Sequence, residues 1–389
     1  CLYVASYLIA YLFPIIRWSA ICLGSFLGGI GGGIVWPAQG IYYSQIATLI
    51  AAKDEKYSRQ EWNSLLAGIF ASIFLFGEVT MKLLTSIIPN YGGNTSIQIL
   101  YVFCTVIACA SAVFICLIDS LDQYTTNDDK DKSDISLGAT AHLAINLLIK
   151  DPRCALMLPF SASFGLGVAY MNGYFFASVV SDQLSPYAVG YIAAIVVFSA
   201  AVVALPYSRL GAFLNTQAPI VAFGSLCILL FALINLLFSP AQLGTWPLII
   251  ALAFVFGVGR STWEGSFKAT FADYFPNDTK AAFANVQLQM GIATALGFIL
   301  DIVTSPTVVG LCVILCSFIA FFAQLLAQYL HHHRSSPPNT VNTQDETPMH
   351  ENEITVRSHE KDSEKDIKCQ TSASPDTASE LRTFSPSSA

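Results

Sequence analysis

The sequence predicts an all-α integral membrane protein, and three observations support this fold class. Hydrophobic residues make up 54% of the 389 residues, and charged residues make up only 12%. A soluble domain carries about twice that share of charge. The mean hydropathy is +0.57. Apolar runs long enough to cross a bilayer recur along most of the chain, so we expect a polytopic bundle of helices.

We predict about ten membrane-spanning segments, of which the first is short. The apolar run at residues 2–13 is too short for a full span. We therefore expect it to be the end of a longer helix, in a fragment whose first two spans precede Cys1. The other spans are predicted at 19–50, 63–88, 97–118, 154–180, 188–206, 218–238, 246–267, 281–303 and 307–329.

The distribution of basic residues predicts which loops face the cytoplasm. Lys and Arg are concentrated in alternate loops and in the tail, whereas the opposite loops carry only Arg17. Cytoplasmic loops carry the excess of positive charge in membrane proteins. A glycosylation sequon at Asn94 falls on the predicted outer side, and a second sequon at Asn277 falls on the inner side and should be unused. The loops expected to be cytoplasmic are 51–62, 119–153, 207–217, 268–280 and the tail.

A polar linker divides the spans into two groups. Residues 119–134 are strongly charged, and residues 135–150 form an amphipathic pattern, which we interpret as a helix at the membrane surface. Four spans precede the linker and six follow it. With two further spans before Cys1, the layout would be the six-plus-six arrangement of the major facilitator superfamily. We expect an N-terminal half at 1–118, a cytoplasmic loop at 119–153, a C-terminal half at 154–330 and a disordered tail at 331–389.

Catalytic and metal-binding patterns are not found in the sequence. Most of the ten cysteines lie inside apolar spans, where they act as small hydrophobic residues and not as disulfide partners. There is no metal-ligand spacing and no nucleophile elbow, and the predicted spans contain no histidine. We expect neither an enzyme nor a cofactor, and no nucleic-acid partner.

A short repeat links the two groups of spans. Gly32 is followed four residues later by Trp36, and Gly259 is followed by Trp263 at the same spacing. Each tryptophan precedes another glycine. If two spans precede Cys1, these are the fourth and tenth spans, which are equivalent in two six-helix repeats. Residues 208–211, in the predicted loop after the eighth span, are similar to a degenerate loop motif of the superfamily.

Residues 27–42 resemble the fourth-span signature of the uncoordinated-93-like family. The run LGGIGGGIVWPAQGIY combines glycines with Trp, Gln-Gly and Tyr, and residues 257–263 and 281–285 are also similar to the family. The resemblance implies a major facilitator fold and a role in regulating or escorting a membrane protein such as a potassium channel or a receptor. It implies no substrate. The residues that carry it are Gly32, Gly33, Trp36, Gln39, Gly40, Tyr42, Gly259, Trp263 and Asn285.

Charged residues inside spans are costly and therefore mark candidate functional positions. Glu78 and Lys82 are four residues apart, so they can form a self-neutralising pair on one helix face. Arg260 and Glu264 have the same spacing and depart from the family pattern, which has small or amide residues there. They either lock the two halves together or contact a substrate. Asp301 has no charged neighbour within its span, so it is a candidate for ion or proton coupling or an interfacial carboxylate.

Three glutamines are further candidates. Gln39, Gln287 and Gln289 lie within spans, where they either face a central cavity or form hydrogen bonds between helices. Taken together, the sequence favours a regulator of another membrane protein. The alternative is a secondary transporter that moves a small solute or ion by rocking its two halves.

Overall fold

The computed structural model describes residues 1–53, 57–91, 96–118, 137–276 and 278–335. The sequon residues Asn94 and Asn277, the linker at 119–136 and the tail from residue 336 lie outside these ranges. The described part is helical along nearly its whole length, and nine of its helices are long and apolar enough to cross a membrane. The predicted all-α, multi-pass membrane fold is therefore confirmed.

The helices agree closely with the predicted spans, because apolar segments in lipid satisfy their backbone hydrogen bonds internally. A short 3₁₀ turn (Pro14–Ile16) joins the first two helices, and π-helical stretches (Met171–Ser181 and Thr262–Phe267) follow α6 and α10. The helices are α1 (Leu2–Leu12), α2 (Arg17–Ala51), α3 (Arg59–Tyr91), α4 (Ser96–Ile115), α5 (Leu137–Lys150), α6 (Pro152–Tyr170), α7 (Ala188–Leu214), α8 (Ala218–Leu237), α9 (Pro240–Leu243), α10 (Trp246–Ser261), α11 (Lys268–Tyr274), α12 (Thr279–Val303) and α13 (Pro306–Ser335).

The main hydrophobic core lies among the helices that follow the linker. Phe231 of α8 is fully buried at its centre, where its ring contacts Tyr170, Phe175 and Phe256. The ring centroids of Phe231 and Phe256 are 4.8 Å apart. Aromatic clusters of this kind bury large areas and fix the relative positions of the helices that carry them.

Helix α3 connects the helices before the linker to this core by packing along α7. Gly68 permits the close approach, because a Cβ atom at that position would overlap the side chain of Ser208. The hydroxyl groups of Ser64 and Ser208 each donate to the other residue's backbone carbonyl oxygen. The contact is therefore tight and polar at the point where the two helices cross.

Helix α7 corrects one prediction. Residues 208–211 were expected in a loop, but α7 continues through Pro206 to Leu214. It ends at Asn215, which adopts the left-handed conformation at φ 53° while Thr216 N–H donates to the carbonyl of Gly211. The predicted break is absent because Ser208 is held against α3 by hydrogen bonds, which fixes the helix beyond the proline.

Helix α13 is longer than predicted. This helix runs past the predicted end at residue 329 to Ser335 and includes His331. The Nδ1 atom of His331 lies 2.9 Å from Nη1 of Arg153, and its ring stacks on Tyr274 with centroids 4.3 Å apart. These contacts hold the last turns of α13 against α6 and α11.

The glycines of helix α2 differ in their surroundings. Gly24 and Gly28 lie against Ser6 and Tyr3 of α1, where any Cβ atom would collide with those side chains. Gly40, further along, lies against the ring of Phe283 in α12. By contrast, Gly29, Gly31 and Gly33 have no atom within 4 Å of an added Cβ. Close packing against neighbours therefore accounts for only some of these glycines.

Helix α5 forms where the amphipathic pattern predicted it. The side-chain amide of Asn285 in α12 donates to the carbonyl of Ala144, over 2.8 Å, and Ala144 is buried. One side of α5 is thus attached to α12. Its position on a membrane surface stays a prediction, as does the assignment of loops to the cytoplasm.

Candidate functional site

A cavity of about 310 Å³ lies between helices from both sides of the linker. Trp36 of α2 and two residues of α3 form part of its lining, and the remainder comes from α6, α7, α10, α11, α12 and the π-helical stretches. Five of its lining residues are charged: Glu78, Lys82, Arg260, Glu264 and Lys268. Charges inside a membrane bundle are rare and usually functional, so this cavity is the candidate site.

Glu78 and Arg260 form the central ion pair of the cavity. The two guanidinium nitrogens of Arg260 donate to both carboxylate oxygens of Glu78, over 3.1 and 2.5 Å. Both side chains are largely buried, with 21% and 16% of their surface exposed. A bidentate pair of this geometry joins α3 to α10. The predicted pairing of Glu78 with Lys82 is therefore wrong, because Arg260 offers a planar fork that binds both carboxylate oxygens.

Glu264 extends the ion pair into a chain of charges. Its Oε1 atom lies 3.8 Å from Nη2 of Arg260, and its Oε2 atom accepts from Nζ of Lys268 over 2.8 Å. Nζ of Lys268 also lies 4.9 Å from the ring centroid of Trp36, a cation–π distance. A series of charge contacts therefore runs from α3 to the indole ring of Trp36 in α2. It consists of Glu78, Arg260, Glu264 and Lys268.

The π-helical stretch Thr262–Phe267 places two of these groups. Single π turns within α-helices often occur at functional positions, because they rotate the side chains that follow them. Here the stretch contains both Trp263 and Glu264 and ends immediately before Lys268. All of its residues are buried. The sequence spacing alone gives no indication of this change in helical winding.

The two tryptophans of the sequence repeat line the same cavity. Trp36 packs edge-on against Phe74, with ring centroids 5.1 Å apart. Trp263 stacks on Phe164 at 4.8 Å and on Phe267 at 5.2 Å. The repeated Gly-x-x-x-Trp pattern therefore contributes one indole ring from each side of the linker.

Several predicted residues lie away from the cavity. Asp301 is not among its lining residues, and its carboxylate packs against the backbone of Gly173. Gln289 is buried and accepts a hydrogen bond from Ser161 over 2.9 Å. Of the two alternatives for this glutamine, the structure therefore shows a hydrogen bond between helices. The side-chain amide of Gln39 is also buried outside the cavity lining. Of the three glutamines, only Gln287 lines the cavity.

Of the remaining motif residues, Gly259 and Asn285 have packing roles. Gly259 lies against Ile228 and the backbone of Gly224 in α8, so a side chain there would separate α10 from α8. Asn285 donates to the carbonyls of Ala144 and Ala281. Gly32 and Gly33 leave space around α2, and Tyr42 is half-buried.

Lys268 is the main residue that sequence reasoning missed. It was assigned to a cytoplasmic loop, yet it is only 3% exposed and lies in the cavity. The available signal was its position four residues after Glu264, which is itself four residues after Arg260. Three charges at this spacing share one helical face and can bind one another in series. The aromatic residues Phe164, Phe176 and Phe256 of the lining carried no such signal.

A cavity with these features can hold a small solute. Its charges are arranged in pairs that a ligand could open and reform, and its aromatic rings can bury apolar surface. The bundle and its internal charged cavity define a multi-pass helical membrane protein. No family model matches the chain.

Three curated proteins are similar to the chain. Mouse (Mus musculus) "Protein unc-93 homolog A" is 23% identical over 321 residues, which cover 72% of this chain and 68% of the relative. Arabidopsis thaliana "UNC93-like protein 3" is 26% identical over 293 residues, covering 73% and 62%. The zebrafish (Danio rerio) "Protein unc-93 homolog A" is 21% identical, covering 72% and 66%. The matches span about two thirds of each relative and support assignment of the chain to the UNC93-like family.

Proposed function

We propose that this protein binds a small solute in the charged cavity and carries it across the membrane. The observation that supports this proposal is the chain of buried ion pairs that joins α3 to α10 and α11. Buried charges cost free energy unless they are paired, so a solute that competes for Arg260 or Lys268 would weaken the link between these helices. The two groups of helices could then rock about the cavity, as in transporters built from two repeats.

The accessibility of the cavity tests this function without knowledge of the solute. Thr294 lines the cavity, and cysteine is close to threonine in size. A Thr294→Cys variant, in a background without reactive cysteines, should react with a membrane-impermeant thiol reagent added to either face of oriented vesicles. Glu78→Gln removes one charge of the ion pair. This change should alter, by severalfold, the ratio of the labelling rate from one face of the vesicles to the labelling rate from the other.

A matched control is available on α3. Gly77 is exposed and has no atom within 4 Å of an added Cβ, so Gly77→Cys should face lipid and resist the same reagent. Labelling of Thr294→Cys from one face only, unchanged by Glu78→Gln, would contradict alternating access.

A second candidate function is the regulation or escort of another membrane protein. The observation that favours it is the pair Gly29 and Gly33 on α2, which are one helical turn apart on the same face and have no neighbouring atoms. Small residues on a lipid-facing helix allow a partner helix to approach closely. The family resemblance points to the same role, with a channel or a receptor as the partner.

Co-purification tests this second function. The protein should retain a membrane partner when it is extracted from its own membrane, and the double change Gly29→Leu and Gly33→Leu should remove that partner. Gly77→Leu on α3 is the control, since it also adds a bulky side chain to an exposed glycine. Equal recovery of the partner with both variants would exclude the α2 face as the binding surface.

A further inference from the structure

The charged groups of the cavity do not balance. Lys82, Arg260 and Lys268 supply three positive charges, whereas Glu78 and Glu264 supply two negative charges. Within the described ranges, each carboxylate forms ion pairs with Arg260 or Lys268, and Lys82 forms none. The cavity therefore has one positive charge in excess, and it is located on α3.

Lys82 does not form an ion pair with its neighbour on the same helix face. Glu78 lies four residues earlier on the same helix, but both of its carboxylate oxygens already accept hydrogen bonds from Arg260. Lys82 is half-buried in the cavity lining. A half-buried ammonium group without a carboxylate partner is only partly compensated by water, so this position favours a ligand that brings a negative charge.

The rest of the lining determines the character of such a ligand. Phe164, Phe176, Phe256, Met171 and the two tryptophans provide apolar surface next to the charges. Asn172, Gln287 and Thr294 add amide and hydroxyl groups. Ligand pockets commonly combine an apolar wall with a few polar groups that fix orientation. A fully hydrated inorganic ion would leave this aromatic wall without a partner.

We propose that the cavity binds a small organic monoanion, with a carboxylate that pairs with Lys82 and an apolar body that packs against the aromatic wall. This inference rests on the proposed solute-binding function and names the class of solute. The cavity volume of about 310 Å³ restricts the ligand to a compact molecule. A cationic solute is disfavoured, because it would meet the excess positive charge without an available carboxylate.

Binding to the full chain in nanodiscs of neutral phosphatidylcholine tests the inference. The probes are benzoate and hexanoate, each compared with its uncharged amide, with sodium chloride as the inorganic anion. We expect both carboxylates to raise the unfolding temperature in a concentration-dependent way, and the amides and chloride to have no comparable effect. Nanodiscs that contain phosphatidylglycerol distinguish a free solute from a lipid headgroup as the source of the anion.

Variants of Lys82 identify the residue responsible. Lys82→Gln should weaken benzoate binding by about tenfold to a hundredfold, the usual range for a hydrogen bond to a charged group. Lys82→Arg should restore most of the affinity, because it restores the charge. Lys150→Gln, at the exposed end of α5, removes a lysine elsewhere and should leave binding unchanged.

The inference would be overturned if benzoate and benzamide bound equally well, or if the benzoate affinity of Lys82→Gln were unchanged. It would also be overturned if chloride alone, or anionic lipid alone, stabilised the protein. These results are distinguishable from failure of the transport proposal. Benzoate binding that depends on Lys82, together with one-sided labelling of Thr294→Cys, would overturn transport alone. Two-sided labelling without any preference for anions would overturn the present inference alone.

Discussion

The helices before the linker and the helices after it are equally apolar, but they bury their surfaces very differently. In an apolar 18-residue window of each span, 67% of residues are buried in α6 with its π-helical continuation, and 56% in α7 and in α8. The spans α12 and α13, which also follow the linker, are less buried, at 22% and 39%. The corresponding share is 6% in α2 and in α4. Among the helices before the linker, α3 is the exception at 33%, because it packs along α7.

This difference shows that hydrophobicity and packing are separate properties in a membrane protein. Lipid tails are as apolar as leucine, so an apolar helix face is stable whether or not another helix covers it. The helices after the linker are held together by interlocking aromatic side chains. In contrast, the described helices leave most of the surface of α2 and α4 uncovered. The two groups are coupled mainly by α3, with a further contact between Gly40 of α2 and Phe283 of α12.

The largest expected effect comes from the aromatic core. Phe231 is fully buried, whereas Phe114 in α4 is 68% exposed. Phe231→Ala should lower the free energy of unfolding by about 3–5 kcal/mol, since it leaves a cavity among Tyr170, Phe175 and Phe256. Phe114→Ala, the matched change before the linker, should cost less than about 0.5 kcal/mol. Thermal unfolding in detergent would measure both, and equal losses would contradict the comparison.

An intermediate effect is expected where an ion pair joins the two groups. Arg260→Gln leaves the carboxylate of Glu78 largely buried without its partner, so it should destabilise the protein by roughly 3 kcal/mol. The double variant Glu78→Gln, Arg260→Gln removes both charges and should recover most of this loss. A double-mutant cycle of unfolding free energies measures the coupling, and purely additive losses would show that the pair contributes nothing to the link.

The smallest effect distinguishes two glycines on α3. Gly68→Ala would force a methyl group into Ser208 of α7 and should cost about 1–3 kcal/mol. Gly77→Ala meets open space, so it should be neutral or stabilise the helix by up to about 1 kcal/mol. Comparison of the two unfolding temperatures tests whether close contact with α7 is what distinguishes α3 from α2 and α4. If both variants changed the unfolding temperature by the same amount in the same direction, close contact with α7 would not be what distinguishes α3.

The candidate site was only partly predictable from the sequence. Glu78, Lys82, Arg260 and Glu264 were singled out as charges inside spans, and the structure brings them into one cavity. Their partners were not predictable, because spacing along one helix suggested Glu78 with Lys82 while the actual partner is 182 residues away. Asp301 was singled out by the same rule, yet it lies against Gly173 outside the cavity.

The sequence by itself determined the fold class, the number and approximate bounds of the spans, and the family resemblance. These properties follow from local composition, because lipid requires every spanning segment to satisfy its own backbone hydrogen bonds. Only the tertiary structure decided which charges pair, which glycines are covered, and that Trp36 and Trp263 line one cavity. Such choices depend on contacts between helices distant in sequence, and for these the apolar pattern of each helix carries no information.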